Sequence, residues 1–105
     1  MPLQGQQYSN PILIITKNSL PDIQRKYGVK KIGIFGSYAR NEQSSDSDVD
    51  VLVEFKNGEA TFDNFMQLAS YLEEIFSRHV DLLTCGGISK HIRPYIEKEV
   101  IWIER

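Results

Sequence analysis

Three aspartates stand out because each lies in or beside an apolar stretch that resembles a β-strand. Asp48 and Asp50 are two residues apart at the start of DVDVLVEF (48–55), and Asp81 interrupts the apolar run HVDLLT (79–84). Side chains two apart on a strand share a face, with Cα atoms about 6.6 Å apart, so Asp48 and Asp50 are predicted to be neighbours. Adjacent carboxylates repel each other, and a divalent cation removes that conflict. Oxygen ligands favour Mg²⁺, Mn²⁺ or Ca²⁺ over zinc.

If the second strand pairs beside the first, Asp81 faces the same site. Three carboxylates on adjacent strands can hold two cations about 3.5–4 Å apart, an arrangement that suits phosphoryl-type transfer. Asp48 alone could begin the strand or cap a turn, and Asp81 alone could be an exposed strand residue, whereas Asp50, further into the strand, is harder to explain structurally. The three together, with a glycine–serine turn upstream, favour the metal site.

That upstream turn offers groups that could bind an anion. In FGSYAR (35–40), Gly36 lets the backbone approach a ligand, and Ser37 adds a hydroxyl group to the N–H groups of a helical start. Arg40 could reach phosphate oxygens, although a solvated surface arginine fits equally well. Ser47, at the end of the following loop, is a further candidate for phosphate binding. The P-loop pattern is absent, so the turn does not belong to that class of site.

The elements that position these residues follow from hydrophobic periodicity and turn signals. The predicted order is a helix (11–27), a strand (30–35), a polar turn, a strand (48–55), a helix from Thr61, a strand (79–84), a short helix (88–99) and a strand (100–104). Asn10 suits a helix start, Pro21 suits a kink or restart, and Thr61 suits an N-cap. The expected fold class is α+β, in an α/β two-layer arrangement: a small mixed sheet of about four strands with helices packed against it.

The second predicted helix has apolar residues at helical spacing, Tyr71 and Phe76 among them, and this spacing predicts a core face. Phe62, Phe65 and Met66 at its start are also expected in the core. The alternative for these three residues is a surface that binds a partner.

Length and composition predict one domain at 11–105, preceded by a flexible tail at 1–10. The net charge is −2. Residues 1–40 contain six basic residues and one acid, whereas residues 41–105 contain six basic residues and thirteen acids. This asymmetry suits an anionic ligand held by a metal ion, or an ordinary solvated surface. A single cysteine excludes an internal disulfide, and no membrane-spanning run is present, so a cytoplasmic location is expected. His79 and His91 lack metal-ligand spacing and are expected at the surface or at a strand edge.

The segment GSYARNEQSSDSDVD (36–50) resembles the signature of the DNA polymerase β-like nucleotidyltransferase superfamily, which is Gly-Ser, a gap of about ten residues, and Asp-x-Asp. The chain is most similar to the minimal nucleotidyltransferases of that superfamily, from about Tyr27 to its end. VDLLT (80–84) and RPYIEKEVIWI (93–103) belong to the resemblance. One position departs from the pattern, since Asn41 stands where glycine is usual. Asparagine tolerates left-handed backbone, so the turn is expected to survive.

This resemblance implies the polymerase β-like fold and Mg²⁺-dependent transfer of AMP from ATP to a hydroxyl group, with release of pyrophosphate. It places Gly36 and Ser37 on the terminal phosphates of the nucleotide. Asp48 and Asp50 would bind two Mg²⁺ ions, for which Mn²⁺ is expected to substitute. Asp81 would complete the metal site and help to activate the acceptor hydroxyl.

The resemblance also implies a protein partner. Minimal nucleotidyltransferases are often encoded beside a HEPN-domain protein, a helical RNase-like toxin, and some act as its antitoxin by transferring AMP to one of its tyrosines. The alternative is a non-catalytic antitoxin or adaptor, against which the presence of all three aspartates argues. Direct nucleic-acid binding is not expected, because the basic residues at 25–31 are few and interleaved aromatic residues are missing.

Overall fold

The structure is a computed structural model that describes residues 10–104. Its elements are α1 (Pro11–Tyr27), β1 (Val29–Phe35), a 3₁₀ turn (Gly36–Tyr38), β2 (Val49–Phe55), α2 (Phe62–Phe76), β3 (Val80–Thr84), α3 (Arg93–Glu99) and β4 (Ile101–Trp102). The predicted succession of helices and strands is confirmed. Of the predicted tail, only Asn10 is among the described residues, and the rest lies outside them. Within the described range, no helix is long and apolar enough to cross a membrane.

Helix α1 is capped by Asn10, as predicted. Asn10 Oδ1 accepts a hydrogen bond from the Ile12 N–H at 3.0 Å, and its Nδ2 donates to the Tyr38 carbonyl at 2.9 Å. The predicted restart at Pro21 is wrong, because α1 continues through this proline to Tyr27, and a kink there stays a prediction. Proline removes one backbone hydrogen bond from a helix, but buried side chains before and after it hold both halves of α1 in the core.

The four strands form one mixed sheet in the order β3–β2–β1–β4. Strand β1 pairs antiparallel with β2 and with β4, whereas β2 and β3 run parallel and are connected through α2. The antiparallel pairing places the end of β1 beside the start of β2, and the parallel pairing places the starts of β2 and β3 side by side. Three strand ends therefore meet at one end of the sheet.

The alternating pattern of β2 distributes its side chains to two faces, as predicted. Val51 and Val53 are buried in the main core with α1 and α2. On the opposite face, Leu52 is buried with Ile96 of α3 in a smaller core. Asp50 shares this second face, because residues two apart on a strand point the same way. The carboxylates therefore lie on the less covered face of the sheet, outside the main core.

The expectation that the start of α2 belongs to the core is wrong for two residues. Phe62 is 77% exposed and Met66 is 47% exposed, whereas Phe65 is partly buried against the main core. Tyr71 and Phe76, further along the helix, pack in the core as predicted. Apolar spacing shows which face of a helix is hydrophobic, but it does not show where the sheet beneath that helix ends.

Two element boundaries near the end of the chain also differ from prediction. The predicted strand at 100–104 is shortened to Ile101–Trp102, and the predicted helix at 88–99 is shortened to Arg93–Glu99. The residues between β3 and α3 form turns and bends, which a glycine pair after β3 favours. Thr61 caps α2 through its hydroxyl group, as predicted.

Candidate active site

Pairing of the strand ends brings the three aspartates to one place. Asp50 and Asp81 are partners in the parallel register of β2 and β3. Asp48 comes one residue before β2, and His79 comes one residue before β3. The Val49 N–H donates a hydrogen bond to the His79 carbonyl at 2.9 Å, which extends the ladder to this position. Strand pairing thus places Asp50 beside Asp81 and Asp48 beside His79, and the members of each pair are 31 residues apart in the chain.

A compact group of side chains that could bind a metal ion consists of Asp48, His79 and Asp81. One ligand atom from each residue lies within 4.8 Å of the other two, and all three residues are exposed. His79 Nδ1 is 3.5 Å from Asp48 Oδ2 and 4.0 Å from Asp81 Oδ1. The surface position of His79 agrees with prediction. Its place beside two carboxylates was not foreseen, because the parallel register that aligns it with Asp48 is not visible in the sequence.

Asp50 lies beside this group, partly buried against the Gly36 turn. Burial raises the pKa of Asp50 above its usual value, and the charges of three other carboxylates, with Asp81 the largest, raise this pKa further against the opposing effect of Arg40. Gly36 has a φ of +73°, and a Cβ at this position would overlap Asp50 Oδ2. Glycine is therefore required both by the backbone conformation and by the space that the carboxylate occupies.

The turn after β1 keeps its geometry with asparagine at position 41, as predicted. Asn41 has a φ of +58°, in the left-handed region that asparagine tolerates. The Arg40 N–H donates to the Gly36 carbonyl at 3.1 Å, and the Glu42 N–H donates to the Ser37 carbonyl at 2.8 Å. These two bonds close the turn around position 41.

Glu99, the last residue of α3, contacts two of the groups expected to bind phosphate. Its Oε1 accepts a hydrogen bond from the Gly36 N–H at 3.3 Å, and its Oε2 accepts one from Arg40 Nη1 at 2.8 Å. Arg40 Nε also donates to Glu42 Oε1 at 2.9 Å, and these side-chain hydrogen bonds raise the pKa of Arg40. Two N–H groups of Arg40 are therefore engaged with carboxylates, and a phosphate would bind through the remaining donors of the guanidinium or in exchange for a carboxylate.

Glu99 was not foreseen as part of the site, although its position carries a signal. A carboxylate at the C-terminal end of a helix opposes the helix dipole, so such a residue often has a partner elsewhere in the fold. The partner itself could not be inferred, because Gly36 is 63 residues away in the chain.

The two serines of the predicted phosphate site differ in their surroundings. Ser47 Oγ accepts a hydrogen bond from the Ser44 N–H at 2.8 Å and so organises the loop before β2. Ser37 is partly buried within the 3₁₀ turn. Contact of either hydroxyl group with phosphate stays a prediction.

The donor set at this end of the sheet fits a divalent cation. Three carboxylates meet there, and burial first, then the charges of neighbouring carboxylates, raise the pKa of Asp50. A cation bound among them would offset these charges. The oxygen donors favour Mg²⁺ or Mn²⁺, and His79 adds one nitrogen donor to the set.

Known proteins resemble this chain in sequence. Residues 16–103 match the family model described as a nucleotidyltransferase domain. The chain is 41% identical over 83 residues to a "putative protein adenylyltransferase" of Methanocaldococcus jannaschii, covering 77% of this chain and 83% of that protein. It is 35% identical over 82 residues to protein adenylyltransferase MntA of Thermococcus cleftensis, covering 78% of this chain and 82% of that protein.

Solved structures share the fold. One, described as a "putative minimal nucleotidyltransferase", aligns with a TM-score of 0.71 and 29% identity, covering 81% of this chain and 86% of that chain. A chain of a toxin–antitoxin crystallised with AMP-PNP aligns with a TM-score of 0.68 and 22% identity, covering 82% and 70% of the two chains. The predicted fold class, with its mixed sheet of four strands, is confirmed.

Proposed function

The chain belongs to the nucleotidyltransferase domain family, and we propose that it transfers AMP from ATP to a hydroxyl group of a partner protein. Transferase activity follows from the family and from relatives named as protein adenylyltransferases. The acceptor oxygen forms a bond to the α-phosphorus, the bond from that phosphorus to the bridging oxygen breaks, and pyrophosphate leaves. The family assignment favours this enzyme over a non-catalytic antitoxin or adaptor.

Asp48, Asp50 and Asp81 are assigned to the binding of two Mg²⁺ ions, for which Mn²⁺ is expected to substitute. The meeting of the three carboxylates at the strand ends and the raised pKa of Asp50 support this assignment. When bound, the ions neutralise charge on the attacking and leaving oxygens. The protein itself would contribute by holding the carboxylates in place. Strand pairing fixes the positions of Asp50 and Asp81, and Asp48 is held in place because it directly precedes β2.

The turn at Gly36 and Ser37 is assigned to the terminal phosphates of the nucleotide, with Arg40 and Ser47 as further contacts. Backbone N–H groups at the start of a helical turn bind anionic oxygens well. The hydrogen bond from the Gly36 N–H to a Glu99 carboxylate oxygen supports this role, because that N–H already binds an anionic group.

The acceptor is proposed to be a tyrosine hydroxyl of a HEPN-domain partner. The sequence resemblance implies that partner, and the names of the relatives support a protein as the acceptor. Asp81 is proposed to help activate the hydroxyl group. Its side chain is exposed at the start of β3, where an incoming side chain can reach it. An ionised carboxylate within hydrogen-bond reach can accept the proton that the hydroxyl loses.

One observation carries this proposal. Asp50 is the register partner of Asp81 and, at the same time, lies directly against the Gly36 turn. Carboxylates for cations and backbone groups for phosphate are thus held at one place by three strand ends. Such positioning of the reacting groups supplies much of the catalysis in phosphoryl-type transfer.

Labelled ATP tests the proposal. The purified protein is incubated with Mg²⁺ and ATP labelled at the α or the γ position, with and without the product of the neighbouring gene. Label on that product from the α position alone is expected, and Asp48→Asn should abolish it. Asp46→Asn is a matched control, because Asp46 is an exposed acid of the same loop. Transfer of γ label would show phosphoryl transfer instead, and full transfer by Asp48→Asn would refute the assigned site.

A further inference from the structure

His79 is a group at the site that the proposed function does not use. Its side chain is 63% exposed, so a cation can reach it from solvent and the ring is free to adjust. Its Nδ1 faces Asp48 Oδ2 at 3.5 Å and Asp81 Oδ1 at 4.0 Å, on the side where the carboxylates converge. Both distances exceed the usual range of about 2.7–3.2 Å for an N–H···O hydrogen bond, so the space between the ring and the carboxylates can take an ion.

The position of His79 is fixed by the backbone. Its carbonyl accepts the Val49 N–H at the point where β2 and β3 begin to pair. His79 and Asp81 are two residues apart, so their side chains leave the backbone on the same side of the sheet. The ring is therefore held beside the aspartates by strand pairing and does not depend on a flexible loop.

The other ring nitrogen of His79 also has a carboxylate beside it. Nε2 is 3.9 Å from Glu73 Oε2, and the same Glu73 oxygen accepts a hydrogen bond from the Val80 N–H at 3.1 Å. Glu73 is thus anchored to the first residue of β3. When a cation is bound on the Nδ1 side, Glu73 would accept a hydrogen bond from the proton that the ring then carries on Nε2.

The distances suit a shared ion. Neighbouring ligands of an octahedral cation with bonds of about 2.1 Å lie about 3 Å apart. The two distances from His79 Nδ1 to carboxylate oxygens exceed that value by about 1 Å or less, within the reach of exposed side chains that adjust around an ion.

We propose that His79 binds a divalent cation of this site through Nδ1, with Glu73 as the residue that positions the ring. This inference rests on the proposed function, which assigns the cation to the aspartates. The inference adds one nitrogen ligand to the aspartate oxygens of the site. An imidazole ligand favours first-row transition ions over Mg²⁺, which prefers oxygen ligands. His79 therefore shifts the metal preference of the site from Mg²⁺ towards Mn²⁺ and other transition ions.

Electron paramagnetic resonance of Mn²⁺ tests the inference without any measurement of activity. Mn²⁺ is titrated into the full chain without nucleotide, and binding is followed through loss of the free-ion signal. Pulsed spectra then report whether a ¹⁴N nucleus is coordinated to the bound ion. We expect a ¹⁴N coupling that becomes a ¹⁵N coupling when the protein is grown with ¹⁵N-histidine.

Variants identify the nitrogen. His79→Gln should remove the coupling and weaken Mn²⁺ binding by about tenfold or more, with a smaller effect on Mg²⁺. His91→Gln is the matched control, because His91 is the other histidine of the chain and is exposed in the turns before α3. Glu73→Gln should weaken Mn²⁺ binding less than His79→Gln does and should keep the nitrogen coupling. Thermal unfolding of each variant verifies that it folds.

The outcomes separate this inference from the proposed function. Bound Mn²⁺ without nitrogen coupling, or coupling that persists in His79→Gln, would overturn the role of His79 and leave the aspartate site intact. Absence of Mn²⁺ binding to the wild type would overturn the role of His79, whereas the proposed transfer would still be tested by the labelled-ATP experiment. Nitrogen coupling in a protein that transfers no label would support the metal site and refute the proposed transfer.

Discussion

Asp50 is held against Asp81 by strand pairing, and burial and this neighbouring charge raise its pKa from the usual value of 3.8. A carboxyl group with a raised folded-state pKa binds more protons in the native protein than in the unfolded chain. Its destabilising effect is therefore absent below the unfolded-state pKa and develops as the pH rises through the folded-state pKa. At neutral pH, the ionised Asp50 side chain therefore lowers the free energy of unfolding of the cation-free protein.

We therefore predict that Asp50→Asn stabilises the cation-free protein at pH 7. The gain should be a few tenths to about 1 kcal/mol, because solvent screens a carboxylate that is only partly buried. The advantage should shrink as the pH falls towards 4. Thermal unfolding in the presence of a chelator, between pH 4 and 8, measures both effects. A variant less stable than wild type at pH 7 would show that the Asp50 charge is satisfied by the protein itself.

Two factors require glycine at position 36: the positive φ of its backbone and the lack of space for a Cβ atom. Gly36 and Gly58 both have positive φ, but a Cβ at Gly36 would overlap Asp50, whereas a Cβ at Gly58 would meet nothing within 4 Å. Alanine at either position should cost about 1–2 kcal/mol of backbone strain. Gly36→Ala should cost more than Gly58→Ala and should also weaken cation binding. Chemical denaturation and a Mn²⁺ titration measure these effects. Equal losses of stability and equal Mn²⁺ affinities in the two variants would show that the space around Gly36 is not limiting.

At the scale of elements, helix α3 reaches the site through the Glu99 carboxylate, which contacts the Gly36 N–H and Arg40. A nucleotide phosphate would compete for the same two donors. Glu99→Gln should therefore tighten the binding of a fluorescent ATP analogue several-fold, because it removes a competing charge. Glu97→Gln is the matched control, since Glu97 is exposed in the same helix. Weaker binding by Glu99→Gln would mean that Glu99 instead orients Arg40 and the turn.

The elements themselves were predictable from local patterns, and the exceptions have physical causes. Asn10 and Thr61 cap their helices with side-chain hydrogen bonds that need no distant partner. Pro21 was expected to interrupt α1, but burial on both sides of it outweighs the loss of one hydrogen bond. Phe62 was assigned to the core because periodicity does not reveal where a sheet ends.

The residues of the candidate site also divide into those that local patterns reveal and those that depend on distant contacts. The three aspartates and Gly36 were identified from local spacing, since a carboxylate in an apolar strand and a glycine after a strand are visible in the sequence. His79 and Glu99 were not identified from the sequence, because their positions at the candidate site depend on strand register and on a contact between α3 and the turn. Contacts over such separations cannot be read from one sequence.

At the scale of the whole molecule, the main core supplies the stability and the opposite face supplies the site. Leu68 of α2 is fully buried, whereas Phe62 of the same helix is 77% exposed. Leu68→Ala should lower the free energy of unfolding by about 2–5 kcal/mol. Phe62→Ser should change it by no more than about 0.5 kcal/mol. Urea denaturation of the two variants measures this, and a large loss for Phe62→Ser would show that the start of α2 is packed in solution.

The rate of pyrophosphate release from ATP, measured with Mg²⁺ and the partner protein, tests the central claim most directly. Asp50→Asn should lower this rate by about 10³-fold or more, because the carboxylates are proposed to hold ions that would stabilise the transition state. Glu54→Gln should leave it unchanged, since Glu54 lies on the same face of β2 but pairs with Lys30 and Lys31. Pyrophosphate release by Asp50→Asn at the wild-type rate would contradict the claim that these strand ends form the active site.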